Sequence, residues 1–83
     1  HFFVYILYSQ QLDKYYVGHT GSSVSERLQK HLSDHKGFTS FAKDWQIVFT
    51  EAFESKSEAY QRELYIKKRK SRKYIEELIR SVE

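Results

Sequence analysis

The sequence predicts an α+β domain: a three-stranded, largely antiparallel sheet with helices packed on it, in the order β-β-α-β-α-α. Three observations lead there. Residues 2–8 and 15–18 are runs rich in aromatic and β-branched side chains, set on either side of a polar segment in which only Leu12 is apolar, the pattern of a β-hairpin. Residues 45–53 form a third run of that type. Two Ser-x-x-Glu signatures, Ser23 with Glu26 and Ser55 with Glu58, each precede a segment of helical periodicity and satisfy the orphan amides of a helix start.

Each element can be justified in turn. Strand one spans 2–8, and strand two runs from Lys14 or Tyr15 to His19. Tyr5 and Tyr16 then project from neighbouring strands, and the register decides whether they share a face. Thr20-Gly21-Ser22-Ser23 breaks the pattern, and a helix is expected over 24–34. Val24, Leu28 and Leu32 make its core stripe, with Arg27 and His31 in a second row at the border with solvent. Residues 35–44 read as a loop, with a short helix over 40–43 as the alternative.

The third strand is expected to be central, with Trp45, Ile47 and Phe49 on one face and Val48 and Ala52 on the other. A helix over 56–70 follows, with an apolar stripe of Ala59, Tyr60, Leu64 and Ile66. Glu63 falls inside that stripe, where a carboxylate costs free energy unless it is paired, hydrogen-bonded or bound to a cation. Ser71 caps a last helix over 72–82. With no proline and no linker-like stretch, residues 1–83 are expected to form one domain.

Composition excludes several classes. The chain has no cysteine, so neither a disulfide framework nor a thiolate metal site can stabilise it, which fits a reducing compartment and a cytoplasmic location. No apolar run approaches the roughly 20 residues of a membrane span, and the first run is too short and tyrosine-rich for a secretory signal. The net charge of +3 is modest, but six of the seven residues 67–73 are cations. Such a run is either a solvated helix face or a phosphate-binding surface.

The unusual polar residues are Tyr5, Tyr16, Arg27, His31 and Glu63. Together they supply a base, hydrogen-bond donors, a cation and a metal-ligating carboxylate, the parts that phosphodiester hydrolysis requires. Singly, each has an ordinary explanation: sheet aromatics, a surface arginine, a structural histidine, and a Glu63–Lys67 helix pair. His31 and His35, with His19, also allow a zinc reading, which lacks support for a third ligand at defined geometry.

Val4-Tyr5-Ile6, Tyr16-Val17-Gly18, Arg27 with His31 four residues on, and Glu63 within Gln61-Arg62-Glu63-Leu64 resemble the GIY-YIG nuclease domain over nearly the whole chain. The resemblance is to its small stand-alone bacterial members, similar to the nuclease module of the repair excinuclease and to structure-specific resolving nucleases. Phe3-Val4-Tyr5 stands where the family has Gly-Ile-Tyr.

The resemblance implies a Mg²⁺- or Mn²⁺-dependent endonuclease acting on branched, damaged or otherwise non-regular DNA. Tyr5 would be the general base or orient the water, assisted by His31. Tyr16 would bond the water or the phosphate, Arg27 would compensate developing charge, and Glu63 would hold the single metal ion. Gly18 would let the backbone approach closely at the strand end, as a nucleic-acid-binding position. Beyond that set, the residues themselves offer Lys30, Lys36, Lys43, Lys67, Lys68 and Lys70 as phosphate contacts, and Phe38 and Phe41 either as stacking partners for splayed bases or as core residues, the core reading being favoured for Phe41. A double-strand cut would call for a homodimer or a protein partner. The alternative is a non-catalytic nucleic-acid-binding module that keeps the fold.

Overall fold

The computed structural model describes residues 1–33 and 42–82. Strands β1 (Phe2–Ser9), β2 (Lys14–Thr20) and β3 (Gln46–Phe53) and helices α1 (Val24–Ser33), α2 (Lys56–Arg69) and α3 (Arg72–Ser81) follow one another in the predicted β-β-α-β-α-α order. The sheet order is β2-β1-β3, and both pairings are antiparallel. The strand buried at the centre is therefore β1, not β3. Its Val4, Tyr5, Ile6 and Leu7 are all buried, which is why this run is apolar without alternation.

Each face of the sheet has its own core. On one, Val4, Ile6, Val17 and Phe49 pack with Ala59 and Ile66 of α2 and with Tyr74, Ile75, Leu78 and Ile79 of α3. On the other, Tyr5, Leu7 and Trp45 pack with Val24, Leu28 and Leu32 of α1. The pairing of β1 with β3 jumps from Ile6↔Phe49 to Leu7↔Ile47, so Val48 is an extra, bulged residue. The bulge reverses the side-chain alternation. Trp45 and Ile47 stay on the α1 face while Phe49, expected beside them, faces α2.

The helix starts are as the sequence predicts. The hydroxyls of Ser23, Ser55 and Ser71 accept hydrogen bonds from the backbone amides of Glu26, Glu58 and Tyr74. The stripe of α2 is not as predicted. It buries Ala59, Glu63 and Ile66, whereas Tyr60 and Leu64 are exposed. Lys70 ends α2 in the left-handed region, at φ 47°, and starts α3 in a new direction. The cationic run is therefore divided between two helices instead of forming one face. No helix among the described residues is long and apolar enough to cross a membrane.

Candidate active site

The register places Tyr5 opposite Gly18 and Leu7 opposite Tyr16. Tyr5, Tyr16 and Gly18 therefore share one face, the face covered by α1. The tyrosine rings lie 6.4 Å apart, tilted by 33°. Gly18 has a specific reason to be glycine: a Cβ there would stand 2.6 Å from the Tyr5 hydroxyl. It is buried, so the missing side chain makes room for Tyr5 and not for a nucleic-acid strand.

Helix α1 brings two residues to this hydroxyl. His31 Nε2 lies 2.9 Å from it, and Arg27 Nε donates to it at 3.4 Å. The His31 ring also meets Tyr16 edge-on, with centroids 4.8 Å apart. His31 is only 7% exposed, so it belongs inside the site and not at the solvent border. Its i, i+4 spacing from Arg27 sets both on the sheet-facing side of α1. Burial pushes the Tyr5 phenol above its ordinary range; the Arg27 hydrogen bond opposes this without cancelling it.

Glu63 comes from α2, on the opposite face. It reaches the site because β2 is an edge strand, which a side chain can pass around. His19 faces α2 while its neighbour Gly18 faces α1, by the alternation of a strand. His19 Nδ1 donates to Glu63 Oε1 at 2.6 Å, and Lys67 Nζ to Glu63 Oε2 at 2.7 Å. The same ammonium lies 5.9 Å from the centre of the Tyr16 ring, and the Glu63 charge is felt at Tyr5, where it raises the phenol pKa. Burial disfavours the Glu63 carboxylate, but Lys67 and His19 outweigh it and hold the carboxyl below its usual range.

The predicted core set thus falls into two linked groups: Tyr5, Tyr16, Arg27 and His31 in contact on one face, and Glu63 joined to them through Lys67. His19 completes the second group and was not foreseen in that role. Its only signal was its place directly after Tyr16-Val17-Gly18. The zinc reading fails among the described residues, because His19 and His31 have different partners and no group of three metal-type ligands converges; His35 lies outside the described residues.

Arg27 borders two cavities. One, of about 310 Å³, is lined by Arg27, Lys30, His31 and Ser33. The other, of about 390 Å³, is lined by Phe2, His19, Thr20, Gly21, Arg27 and Lys56. Every charged residue lining either cavity is a cation, which suits an anion. Lys56 was not predicted. Among the predicted phosphate-binding lysines, Lys30 lines the first cavity, and Lys67 is engaged with Glu63. Lys43 donates to the Leu32 carbonyl at 2.8 Å, so it satisfies the end of α1. Lys68 lines a separate cavity with Phe53 and Tyr65, away from Tyr5. Lys70 lines a groove between α2, α3 and the hairpin. Lys36, Phe38 and Phe41 lie outside the described residues.

The three-stranded antiparallel sheet with helices on both faces defines an α+β domain. The model of the GIY-YIG catalytic domain matches residues 1–75, and the chain belongs to that family. No curated protein and no solved structure matches the chain.

Members of this family are typically dependent on a divalent metal. Glu63 is the buried carboxylate that would take such an ion; its oxygens are engaged by His19 and Lys67, so an ion would have to displace the Lys67 ammonium from Oε2, with water and substrate phosphate as its other ligands.

Proposed function

We propose that this chain is a Mg²⁺- or Mn²⁺-dependent endonuclease that hydrolyses DNA phosphodiester bonds, on branched, damaged or otherwise non-regular DNA. The observation that carries this reading is the Tyr5 hydroxyl held between Arg27 Nε and His31 Nε2. Arg27 occupies the oxygen as a donor, which directs the phenol proton to His31. A phenol is protonated at neutral pH, and burial pushes this one further in that direction. Tyr5 can then accept a proton from the attacking water only as it passes its own to His31, so the two act as one general base.

Tyr16, on the same face, bonds the water or the scissile phosphate. Arg27, with its guanidinium at both cationic cavities, compensates the charge that develops on phosphorus. Glu63 would hold the ion through Oε2 once Lys67 gives way, with His19 orienting the carboxylate through Oε1. The ion, when bound, polarises the phosphate and stabilises the leaving oxygen. One such site cuts one strand, so a second copy or a partner protein is needed for a double-strand cut.

The test is a panel of branched, flapped, nicked and plain duplex DNAs, incubated with Mg²⁺, Mn²⁺ or EDTA, for the wild type, Arg27→Ala and Glu63→Gln. Metal-dependent cutting is expected, reduced in both variants. Cutting that Glu63→Gln leaves unchanged would remove the metal assignment. Tight DNA binding with no cutting under any condition would favour a binding module.

A further inference from the structure

The groove between the hairpin and the α2–α3 junction has a volume of about 560 Å³, and most of its lining takes no part in the steps above. Its floor is apolar: Val17 of β2, Ile66 of α2 and Ile75 of α3. Its rim is basic, with Lys14, Lys67, Lys70 and Arg72 against the single carboxylate of Asp13. Two lining residues, Tyr16 and Lys67, are also part of the active site, so an occupant of the groove would be continuous with the reacting phosphate.

The two walls are fixed to each other. Arg72 Nη2 donates to Asp13 Oδ1 at 2.6 Å and Nη1 to the Asp13 carbonyl at 2.9 Å. Its guanidinium also covers the Tyr15 ring at 5.2 Å. Asp13 and Lys70, one on each wall, both have left-handed backbones, at φ 53° and 47°. The clamp joins the hairpin tip to the start of α3, so the groove is open before any ligand arrives, which lowers the ordering cost of binding.

We propose that this groove receives one unpaired nucleotide, turned out of the helix beside the scissile phosphate. The inference rests on the nuclease reading and sharpens its substrate class to DNA with an unpaired nucleotide at the cut. The volume is in the range of small-ligand sites. An apolar floor suits the face of a base, and Lys14 and Lys70 on the rim suit the phosphates on either side of it, while Lys67 and Arg72 are ion-paired with Glu63 and with Asp13 and Glu76. A base within an intact duplex is stacked and paired, so entering the groove costs a few kcal/mol that an unpaired base does not lose.

The experiment uses the wild-type chain in EDTA, with a duplex carrying one central unpaired nucleotide and the same duplex fully paired, read by fluorescence anisotropy. A second pair of DNAs carries 5-iodouracil at that position for photocrosslinking and mass spectrometry. Binding about tenfold tighter to the unpaired site is expected, with crosslinks to Tyr15 or Tyr16. The exposed pair Lys14→Glu with Lys70→Glu, its fold checked by circular dichroism, is expected to bring the preference to about twofold or less. Equal affinity for the two duplexes, or crosslinks confined to the Arg27 cavities, overturns this proposal and leaves the nuclease reading intact. No binding to any DNA overturns both. Binding of a short acidic phenylalanine peptide that depends on Lys14 and Lys70, with no preference among the DNAs, overturns it in favour of a protein partner.

Discussion

At Gly18 a single hydrogen in place of a methyl group decides whether Tyr5 can occupy its position. Gly18→Ala would bring Cβ to 2.6 Å from the hydroxyl and 2.8 Å from the ring carbon that bears it, distances that force a shift. The expected result is a loss of about 1–3 kcal/mol in urea unfolding, with cleavage reduced beyond what the remaining folded fraction explains. His31 offers a complementary case. His31→Ala removes the acceptor for the Tyr5 proton, and the cleavage rate should fall by about 10²–10⁴. A variant cutting at the wild-type rate would show that Tyr5 works without it.

Glu63 links the residue scale to pH. Its carboxyl is held below the usual range by Lys67 and His19 against burial. A group with a depressed folded pKa contributes stability above its unfolded value, near 4.3 for glutamate, and loses it as pH falls through the folded value. The stability difference between wild type and Glu63→Gln should therefore be largest near neutrality and shrink below about pH 4. Urea melts at several pH values would check this. A difference that grows on acidification would contradict it.

Elements carry the second set of consequences. The α2–α3 link depends on Lys70 in the left-handed region, a conformation that costs a non-glycine residue roughly 1 kcal/mol. Lys70→Gly should raise the melting temperature by a few degrees, while weakening the rim of the groove. Thermal denaturation reads the first effect and DNA binding the second. Ser71→Ala removes the hydroxyl that accepts from the Tyr74 amide and should cost about 1 kcal/mol in the same assay.

The elements were legible in the sequence because their signals are local. The serine caps, the hairpin runs and the 3.6-residue periods need only neighbours along the chain. The Val48 bulge was not legible, because an extra residue in a strand leaves the composition of the run unchanged and alters only its pairing. The stripe of α2 was misread for a related reason. Tyr60 and Leu64 are apolar enough to suggest burial, but α2 lies over the β2 edge of the sheet and turns Glu63 inward instead.

At the scale of the whole molecule, a sheet of only three strands explains how the site is assembled. The edge strand β2 has Gly18 and Tyr16 on one face and His19 on the other. A helix on each face can then contribute to one centre, α1 with Arg27 and His31, α2 with Glu63 and Lys67. Arg27, Lys30 and Lys56 line the two cationic cavities. If each neutralises one phosphate, these three alone should contribute about −3 to the slope of the logarithm of DNA affinity against the logarithm of salt. Lys56→Ala should lessen the slope by about one. A binding curve insensitive to salt would contradict phosphate contact at these cavities.

The sequence alone determined the element order and the helix starts, and singled out the five polar residues of the proposed site, because local propensity and short motifs carry that information. Tertiary structure decided that Tyr5 and Tyr16 share a face, since strand register is a relation between segments. It decided that His19 pairs with Glu63, since the two are 44 residues apart and meet only around the sheet edge. It also decided how the basic run is divided. Six cations in seven residues look like one surface until a left-handed residue turns the chain between two helices, leaving Lys67 at the Glu63 carboxylate, Lys68 at a separate cavity, and Lys70 and Arg72 at the groove.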